Sequence, residues 1–328
     1  MTRSTRTSVP GVPAAPSLRA GLAAAAAEYG LRPLNCAIPL NTPGIWFARN
    51  LIAAITAAAG PPPSGTIVDP VRADAVRGEW VRAPGVEFSG RAIYYVHGSG
   101  YVLCSARTHR GLAARLSRET GLPVFLIDYR LAPEHRFPAA ADDVAAGYRW
   151  LLQRGYQAKD LAIACDSAGG HLALDLLVQN GTRALPPPAA VTMFSPLLDL
   201  TLSLAAEQER RKRDPVISAR AAARLPRQYT RGHPADAPRL RLTVPAGIEL
   251  PPILVQAGGA EMLSADPRRL RELVRAAGGV CELEIWPGQV HVFQALPRLV
   301  PEADLALRRA AQFLGAAWAA RTDVERVS

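Results

Sequence analysis

A serine surrounded by small residues is the first feature of this sequence that could do chemistry. Ser167 lies in the hexapeptide CDSAGG, residues 165–170, between an apolar run at 161–164 and a helix-like stretch that begins at His171. A strand, a tight turn and a helix start in this order expose one hydroxyl at the tip of the turn, above a helix N-terminus. The pattern predicts a nucleophilic serine; the alternative is a serine that only caps a helix.

A second turn could stabilise the negative charge that a nucleophile creates on a carbonyl oxygen. The sequence HGSGY, residues 97–101, directly follows an apolar run at 92–96. Glycines in such a turn let backbone N–H groups approach a substrate oxygen as preorganised donors. If Ser99 needs a positive φ, it costs on the order of 1 kcal/mol or more relative to glycine. Alternatively the turn adjusts and the Ser99 hydroxyl adds a donor; the sequence leaves both possibilities open.

His291 is the predicted general base, which a serine needs in order to be nucleophilic near neutral pH. It is one of six histidines, and it follows the last apolar run, 281–286, through a Pro287-Gly288 turn. This places it at the carboxyl edge of a predicted sheet, in the chain order serine, acid, histidine. The alternative is an ordinary loop histidine.

Two carboxylates compete to be the acid that orients this histidine. Glu261 lies in a small-residue loop directly after the apolar run at 253–257, whereas Asp266 precedes Pro267 and an arginine-rich helical stretch. Asp266 therefore looks like an N-cap with proline at the first helical position, which gives it a sufficient structural role. We predict Glu261 as the acid, although it must reach one methylene further than an aspartate, and Asp266 as the second choice.

These residues need a parallel sheet to bring them together, and the rest of the sequence predicts one. From about residue 79, six short apolar runs alternate with helix-length amphipathic segments near 107–120, 138–154, 168–180, 266–277 and 302–320. Such alternation indicates βαβ units and a mainly parallel, doubly wound α/β sheet, with chemistry at the carboxyl ends of its strands. Two helical stretches are predicted over 16–59, and 201–250 reads as a helical insertion over the same edge.

Several ordered motifs together make the chain resemble a known family. The HGSGY turn and the CDSAGG hexapeptide are similar to the HGGG and GDSAGG motifs of the hormone-sensitive-lipase-like branch of the α/β-hydrolases, the bacterial family IV esterases. The resemblance continues in DYRLAPEH at 128–135, in Ser195-Pro196 and Asp199-Leu200, and in WPG at 286–288, and it covers roughly residues 40–320. Ser99 and Cys165 depart from the glycines of the family pattern.

The resemblance implies further roles for residues at the site. The oxyanion donors would be the backbone N–H groups of Ser99, Gly100 and Ala168, with His97 stabilising the turn, and Glu261 stands where many members carry the triad aspartate. Trp46 and Phe47 would join the insertion in lining a pocket for small to medium acyl groups; alternatively they only bury their helix.

The resemblance also implies an organisation and an activity. We expect N-terminal cap helices over 1–60, an α/β-hydrolase core over 61–200 and 251–328, and a cap insertion over 201–250. The expected function is that of a serine carboxylic-ester hydrolase that works through an acyl-enzyme without a cofactor. Two alternatives are an amide or N-acetyl hydrolase that tailors a small molecule, and a non-catalytic ligand-binding protein that has kept the fold.

The charge is concentrated in the predicted insertion. Residues 205–242 carry ten basic and four acidic residues, a net charge of +6 against +10 for the 328-residue chain. They form either a solvated helix surface with local ion pairs or a basic mouth that attracts an anionic partner, such as a substrate carboxylate or phosphate or an acidic carrier protein. No nucleic-acid-binding module is recognisable, so we expect no nucleic-acid partner.

The remaining composition predicts a soluble, cytoplasmic protein. The four cysteines form no C-x-x-C pair, and no apolar run approaches the roughly 20 residues of a membrane span. Neither metal-ligand spacing nor a nucleotide-binding fingerprint is present. We therefore expect a small-molecule ester substrate and no metal or cofactor; a homodimer is possible.

Overall fold

The fold is built on one eight-stranded sheet. The computed structural model describes residues 11–327, with side chains described to residue 320, so the first ten residues of the predicted N-terminal cap segment lie outside it. The strands are β1 Ile67–Ala73, β2 Val76–Arg82, β3 Ala92–Val96, β4 Val124–Ile127, β5 Leu161–Asp166, β6 Val191–Phe194, β7 Ile253–Gly258 and β8 Cys281–Trp286. The six predicted apolar runs are thus confirmed as strands.

The strand order places the ends of six parallel strands on one edge. The order is β1-β2-β4-β3-β5-β6-β7-β8, in which β3 to β8 are mutually parallel and only β1 and β2 are antiparallel to their neighbours. Strands β1 and β2 were not predicted from the sequence. Strand β1 contains Pro70 and exposes several side chains, as an edge strand can, so it lacks the apolar run of a buried strand.

Helices cover both faces of the sheet. They are α1 Leu18–Ala26, α2 Arg32–Ala37, α3 Thr42–Ala59, α4 Ala106–Thr120, α5 Ala139–Gln153, α6 Ala168–Thr182, α7 Ser203–Arg211, α8 Ala219–Ala222, α9 Arg224–Thr230, α10 Ala265–Ala276 and α11 Glu302–Val327. A π-helical turn, Ala27–Leu31, joins α1 to α2 just before Pro33, so 18–37 is one continuous stretch and the two predicted N-terminal stretches are confirmed. Between residues 11 and 327, none of the helices is both long and apolar enough to cross a bilayer.

Side chains that alternate in direction along the central strands contribute to two hydrophobic cores, one on each face of the sheet. On β3, Tyr94 packs with Phe125 and Tyr148 on one face, while Tyr95 belongs with Leu116 to the core on the other face, and all five side chains are buried. Successive strand residues point to opposite faces, so one buried strand serves both layers. Burial of each such side chain stabilises the fold by roughly 2 kcal/mol. The sheet is therefore a rigid platform for the loops at its carboxyl edge.

The N-terminal helices and the insertion contact each other. Arg32 forms an ion pair of 2.7 Å with Glu209, and the Asn35 amide donates to the Val216 carbonyl at 3.1 Å. The insertion is helical only as far as Thr230; residues 231–250, all described, contain turns and no helix. Three prolines in that stretch remove backbone donors and end helical periodicity, so the expectation of a helical insertion is correct for its first half alone.

Candidate active site

Ser167 lies at the turn between β5 and α6. Its φ is +48° and its side chain makes no capping hydrogen bond to α6, so the alternative of a simple helix cap is wrong. Small neighbours are required here: a Cβ on Gly170 would lie 3.0 Å from the Pro196 Cα, and one on Gly169 would lie 2.8 Å from the His97 carbonyl oxygen. The strained turn holds the Ser167 hydroxyl out from the strand end.

Three side chains form a hydrogen-bonded chain at this edge. The Ser167 Oγ lies 2.9 Å from Nε2 of His291, and Nδ1 of His291 pairs with Oε2 of Glu261. The other oxygen of Glu261 accepts a hydrogen bond from the Gly258 N–H at 2.7 Å, which fixes the carboxylate at the end of β7. The geometry fits the tautomer in which Nδ1 donates to Glu261 and Nε2 can accept the serine proton.

Negative charge around His291 favours its protonated form. Burial alone would lower the pKa of His291, but the Glu261 carboxylate, with Asp214 and Asp166 further away, raises it above its ordinary value. A base with a raised pKa is a stronger proton acceptor, and it must be deprotonated to act. Activity through this histidine is therefore expected to fall as the pH drops through its pKa.

Asp266 is not brought to His291. It lies in the first turn of α10, which begins at Ala265, and its Oδ1 accepts hydrogen bonds from the N–H groups of Leu198 and Asp199, each at 2.8 Å. Burial raises the pKa of Asp266 to about 7. The N-cap prediction was wrong, because this carboxylate tethers the loop after β6 instead of capping its own helix.

The glycine-rich turn packs directly against the serine. A Cβ on Gly98 would lie 2.7 Å from the Cβ of Ser167, so only glycine permits this approach. Ser99 and Gly100 both have positive φ, +121° and +58°. Ala168 is the first residue of α6, so its N–H points outward from a helix N-terminus. The HGSGY turn and the start of α6 therefore lie beside Ser167, and their N–H groups remain the predicted oxyanion donors.

The buried rings of His97 and Tyr129 stabilise the HGSGY turn. His97 stacks on Tyr129 with ring centroids 4.2 Å apart, and the Tyr129 hydroxyl donates to the His97 carbonyl at 2.8 Å. Burial, reinforced by the neighbouring His109, lowers the pKa of His97 to about 4, so His97 is neutral at pH 7. A neutral, stacked imidazole fits a structural role for His97.

A buried carboxylate also anchors the serine turn. Asp166 accepts a hydrogen bond from the Tyr95 hydroxyl at 2.9 Å and lies 3.2 Å from Nε2 of His109. Burial would raise the pKa of Asp166, but His109 and Tyr95 outweigh it and the pKa lies below its usual range. These contacts hold Asp166, and with it the adjoining Ser167, in place, and Asp166 remains ionised.

Replacing Ser99 by glycine is expected to raise the free energy of unfolding by about 1 kcal/mol. A non-glycine residue at such a φ costs roughly 1–3 kcal/mol, and the added flexibility of an unfolded glycine offsets part of the gain. Chemical unfolding of wild type and Ser99→Gly measures the difference. Ser89→Gly, in an exposed loop, is the control and is expected to be neutral or destabilising. A less stable Ser99→Gly would show that the Ser99 hydroxyl, which lies near Cys104 and Tyr129, stabilises the turn.

Asp214 also lies near the site, although the sequence did not single it out. This buried residue of the insertion accepts hydrogen bonds from the Val216 N–H at 2.7 Å and from the Met262 N–H at 2.8 Å. Met262 follows Glu261, so the insertion holds the loop that carries Glu261 through this carboxylate, whose charge also raises the pKa of His291. The only available signal was the position of Asp214 at the end of a basic run, before Pro215.

Asp214→Asn is expected to shift the acid limb of the kcat/KM profile to lower pH and to reduce kcat/KM about threefold to tenfold. The shift follows because removal of a negative charge lowers the His291 pKa, and the loss follows because the loop that carries Glu261 is held less firmly. A pH series with a chromogenic ester measures both effects. Asp236→Asn removes the same charge from an exposed position of the insertion, and an equal shift in that variant would contradict the assignment.

Trp46 and Phe47 lie on α3, and both are exposed, by 67% and 45%. Helix α3 is held beside the HGSGY turn, because Nε of Arg49 donates to the carbonyl of Val102, the residue that follows the turn, at 2.8 Å. From the insertion, Leu225 approaches the same turn: a Cβ on Gly100 would lie 2.7 Å from its Cβ. The two predicted cap segments therefore both reach the turn, while the described contacts show neither ring against Ser167.

Comparison with known proteins agrees with this geometry. Residues 93–295 match a protein family whose description is "alpha/beta hydrolase fold". The chain is 33% identical over 316 residues to a carboxylesterase/phospholipase, LipF, of Mycobacterium tuberculosis, covering 91% of this chain and 82% of that protein. It is 35% identical over 239 residues to an acetyl-hydrolase of Streptomyces hygroscopicus, covering 72% and 78%.

Solved structures extend the similarity to the whole fold. An esterase from the bacterial hormone-sensitive lipase family superimposes with a TM-score of 0.81 at 32% identity, covering 92% of this chain and 98% of that one. The esterase EstE5, soaked with p-nitrophenyl butyrate, gives a TM-score of 0.82 at 33% identity, covering 92% and 99%. With the sheet order and the site geometry, these matches show that the chain belongs to the hormone-sensitive-lipase-like family of α/β-hydrolase esterases.

Proposed function

We propose that this protein is a serine carboxylic-ester hydrolase whose nucleophile is Ser167, with His291 as base and Glu261 as orienting acid. The hydrogen-bonded chain from Ser167 through His291 to Glu261 is the observation that carries the proposal. A scaffold without catalytic function would not need to keep a strained serine, a histidine and a buried carboxylate in register.

The first half of the reaction forms an acyl-serine. The Ser167 Oγ attacks the carbonyl carbon of the ester while its proton moves to Nε2 of His291, and Glu261 stabilises the imidazolium. The N–H groups of Ser99, Gly100 and Ala168 hold the resulting oxyanion. As the tetrahedral intermediate collapses, His291 returns the proton to the leaving oxygen, the C–O bond breaks and the alcohol departs.

The second half releases the acid. A water molecule takes the place of the alcohol and gives a proton to His291 as it attacks the acyl carbon. Collapse of this second intermediate breaks the bond to the Ser167 Oγ, which recovers its proton from His291. The residues named supply every proton transfer, so we propose a reaction without a cofactor.

We propose an acyl pocket under the two cap segments, lined by Trp46 and Phe47, that accepts small to medium acyl groups. A series of p-nitrophenyl esters from acetate to dodecanoate tests this proposal. We expect kcat/KM to be highest for short chains and to fall at least about tenfold toward the longest, because a pocket of limited size cannot accommodate the extra methylenes. A flat profile would contradict a limited pocket.

The similarity to an acetyl-hydrolase is compatible with an alternative function, the cleavage of an amide or N-acetyl group. Paired p-nitrophenyl acetate and p-nitroacetanilide distinguish the two, since the acyl group is the same and only the leaving atom changes. We expect cleavage of the ester and little of the amide. Preferential cleavage of the amide would reassign the activity while leaving the machinery unchanged.

The exposed charge of the insertion supports an anionic substrate. Arg211 and Arg213 are exposed, although each has a local acidic partner, and Lys212 donates to the carbonyl of Gly259, two residues before Glu261, at 2.7 Å. A positive mouth of this kind raises the association rate of anions at low salt. We expect kcat/KM for an anionic ester to fall with ionic strength more steeply than for a matched neutral ester; an equal response would contradict this part of the proposal.

We also propose that residues 1–60 and 201–250 act together as one cap on the core, and that the protein is cytoplasmic. The contacts of Arg32 and Asn35 with the insertion support the first statement. The four cysteines are free in the structure, as a reducing compartment would leave them, which supports the second.

A further inference from the structure

Helix α1 turns its larger apolar side chains away from the protein. Leu18 is 89% exposed, Leu22 is 70% exposed and Tyr29, in the π-helical turn that continues the helix, is 82% exposed. The residues that this segment buries against the body are alanines, Ala20 and Ala27. Since a surface helix ordinarily buries its apolar face, Leu18, Leu22 and Tyr29 form an unusual outer stripe, uncovered by the described part of the chain.

The outer stripe is held in place beside the active site. Ser17 caps α1 by accepting from the Ala20 N–H at 3.2 Å, and its own N–H and hydroxyl donate to the Glu302 carboxylate at 2.6 and 3.0 Å. The preceding Pro16 packs on Gly288, where a Cβ would lie 2.6 Å from the proline Cβ. Gly288 is three residues before His291, so the stripe is anchored to the loop that carries the base.

A basic run borders the stripe. Residues 210–213, RRKR, are all exposed at the end of α7. Nε of Arg213 lies 3.6 Å from the Glu28 carboxylate, and Glu28 precedes Tyr29 of the outer stripe. The basic run therefore lies next to the Tyr29 end of the outer stripe, so that exposed apolar and basic side chains occur close together. This combination is typical of helices that lie in a membrane interface.

We propose that this surface docks the protein on a lipid surface that carries anionic headgroups. The outer stripe would enter the boundary between headgroups and acyl chains, and the basic run would contact the phosphates. The charge argues against a second copy of the chain as the occupant, because a two-fold contact would bring two basic runs together. Docking goes beyond the proposed hydrolysis and does not require it, but it would present the active-site mouth to lipid-dissolved esters.

Flotation with vesicles tests the docking on the Ser167→Ala protein, so that no hydrolysis alters the lipid. At about 50 mM NaCl we expect at least tenfold tighter binding to vesicles with about one third phosphatidylglycerol than to pure phosphatidylcholine, and loss of this preference near 0.5 M NaCl. The double variant Leu18→Ser/Leu22→Ser and, separately, the variant Arg210→Gln/Arg211→Gln are each expected to weaken binding at least about fivefold.

A matched control removes two exposed apolar residues elsewhere. Leu185→Ser/Val280→Ser changes side chains before β6 and β8, at the opposite end of the strands, and is expected to bind as the parent does. In the Ser167-containing protein, Leu18→Ser/Leu22→Ser should hydrolyse a short soluble ester as wild type does, which shows that it folds. Absence of vesicle binding at low salt would overturn the proposal, as would equal loss in the control pair. A dimer in light scattering that Leu18→Ser/Leu22→Ser dissociates would also overturn it, by assigning the surface to a second copy.

Discussion

Replacing Ser167 by alanine is expected to lower kcat for a short p-nitrophenyl ester by about five orders of magnitude or more and to abolish labelling by a fluorophosphonate. The hydroxyl is the atom that attacks, and the neighbouring turn offers no substitute: Cys165 is fully buried and burial raises the pKa of its thiol well above its ordinary value. What activity remains would come from the oxyanion donors and from binding alone.

The measurement combines steady-state kinetics, mass spectrometry of the labelled protein and a thermal unfolding curve. Ser89→Ala, in an exposed loop, is the matched control and is expected to label and turn over as wild type does. Stoichiometric labelling of Ser167→Ala would place the nucleophile elsewhere. A folded wild-type protein that takes no label would instead favour the ligand-binding alternative, in which the fold is kept without the chemistry.

The serine turn and the central strands could be predicted because the residue types that these elements need are consecutive in the sequence. Strands buried on both faces are mostly apolar, as β5 is from Leu161 to Cys165, and the turn at Ser167 admits only small residues because Gly169 and Gly170 meet neighbouring backbone. For the same reason the edge strand β1, which is exposed and interrupted by Pro70, left no such pattern.

The roles of single carboxylates could not be predicted from local pattern, because a carboxylate takes its role from partners distant in sequence. Asp266 has the local sequence of a helix cap, yet it bonds backbone groups 68 and 67 residues away. Asp214 reaches Met262, 48 residues away, through a contact that only the folded insertion creates. Glu261 could be favoured over Asp266 because it directly follows a strand end, where loop residues converge on the site.

Glu261→Gln is expected to lower kcat by about 10³- to 10⁴-fold while the protein remains folded. The glutamine can still accept from the Gly258 N–H, but its amide would present a donor to Nδ1 of His291. The histidine would then carry its proton on Nε2 and could no longer accept the proton of Ser167. Glu261→Asp, which keeps the charge but shortens the reach, should recover part of the lost activity.

Asp266→Asn is the matched control for this substitution, and its effect should fall on stability instead of turnover. The raised pKa of Asp266 in the folded state, about 7, means that this group stabilises the fold when protonated and that this contribution is lost as the pH rises from about 4 to about 7. Asparagine does not titrate, so the variant does not lose this contribution as the pH rises. Its free energy of unfolding, relative to that of wild type, should therefore increase between pH 4 and pH 7, by on the order of 4 kcal/mol at most. Unfolding curves at pH 4.5 and 7.5, together with kcat at pH 7.5, separate the two carboxylates. Loss of turnover in Asp266→Asn alongside an active Glu261→Gln would make Asp266 the acid, because only the carboxylate that orients His291 controls proton transfer from Ser167.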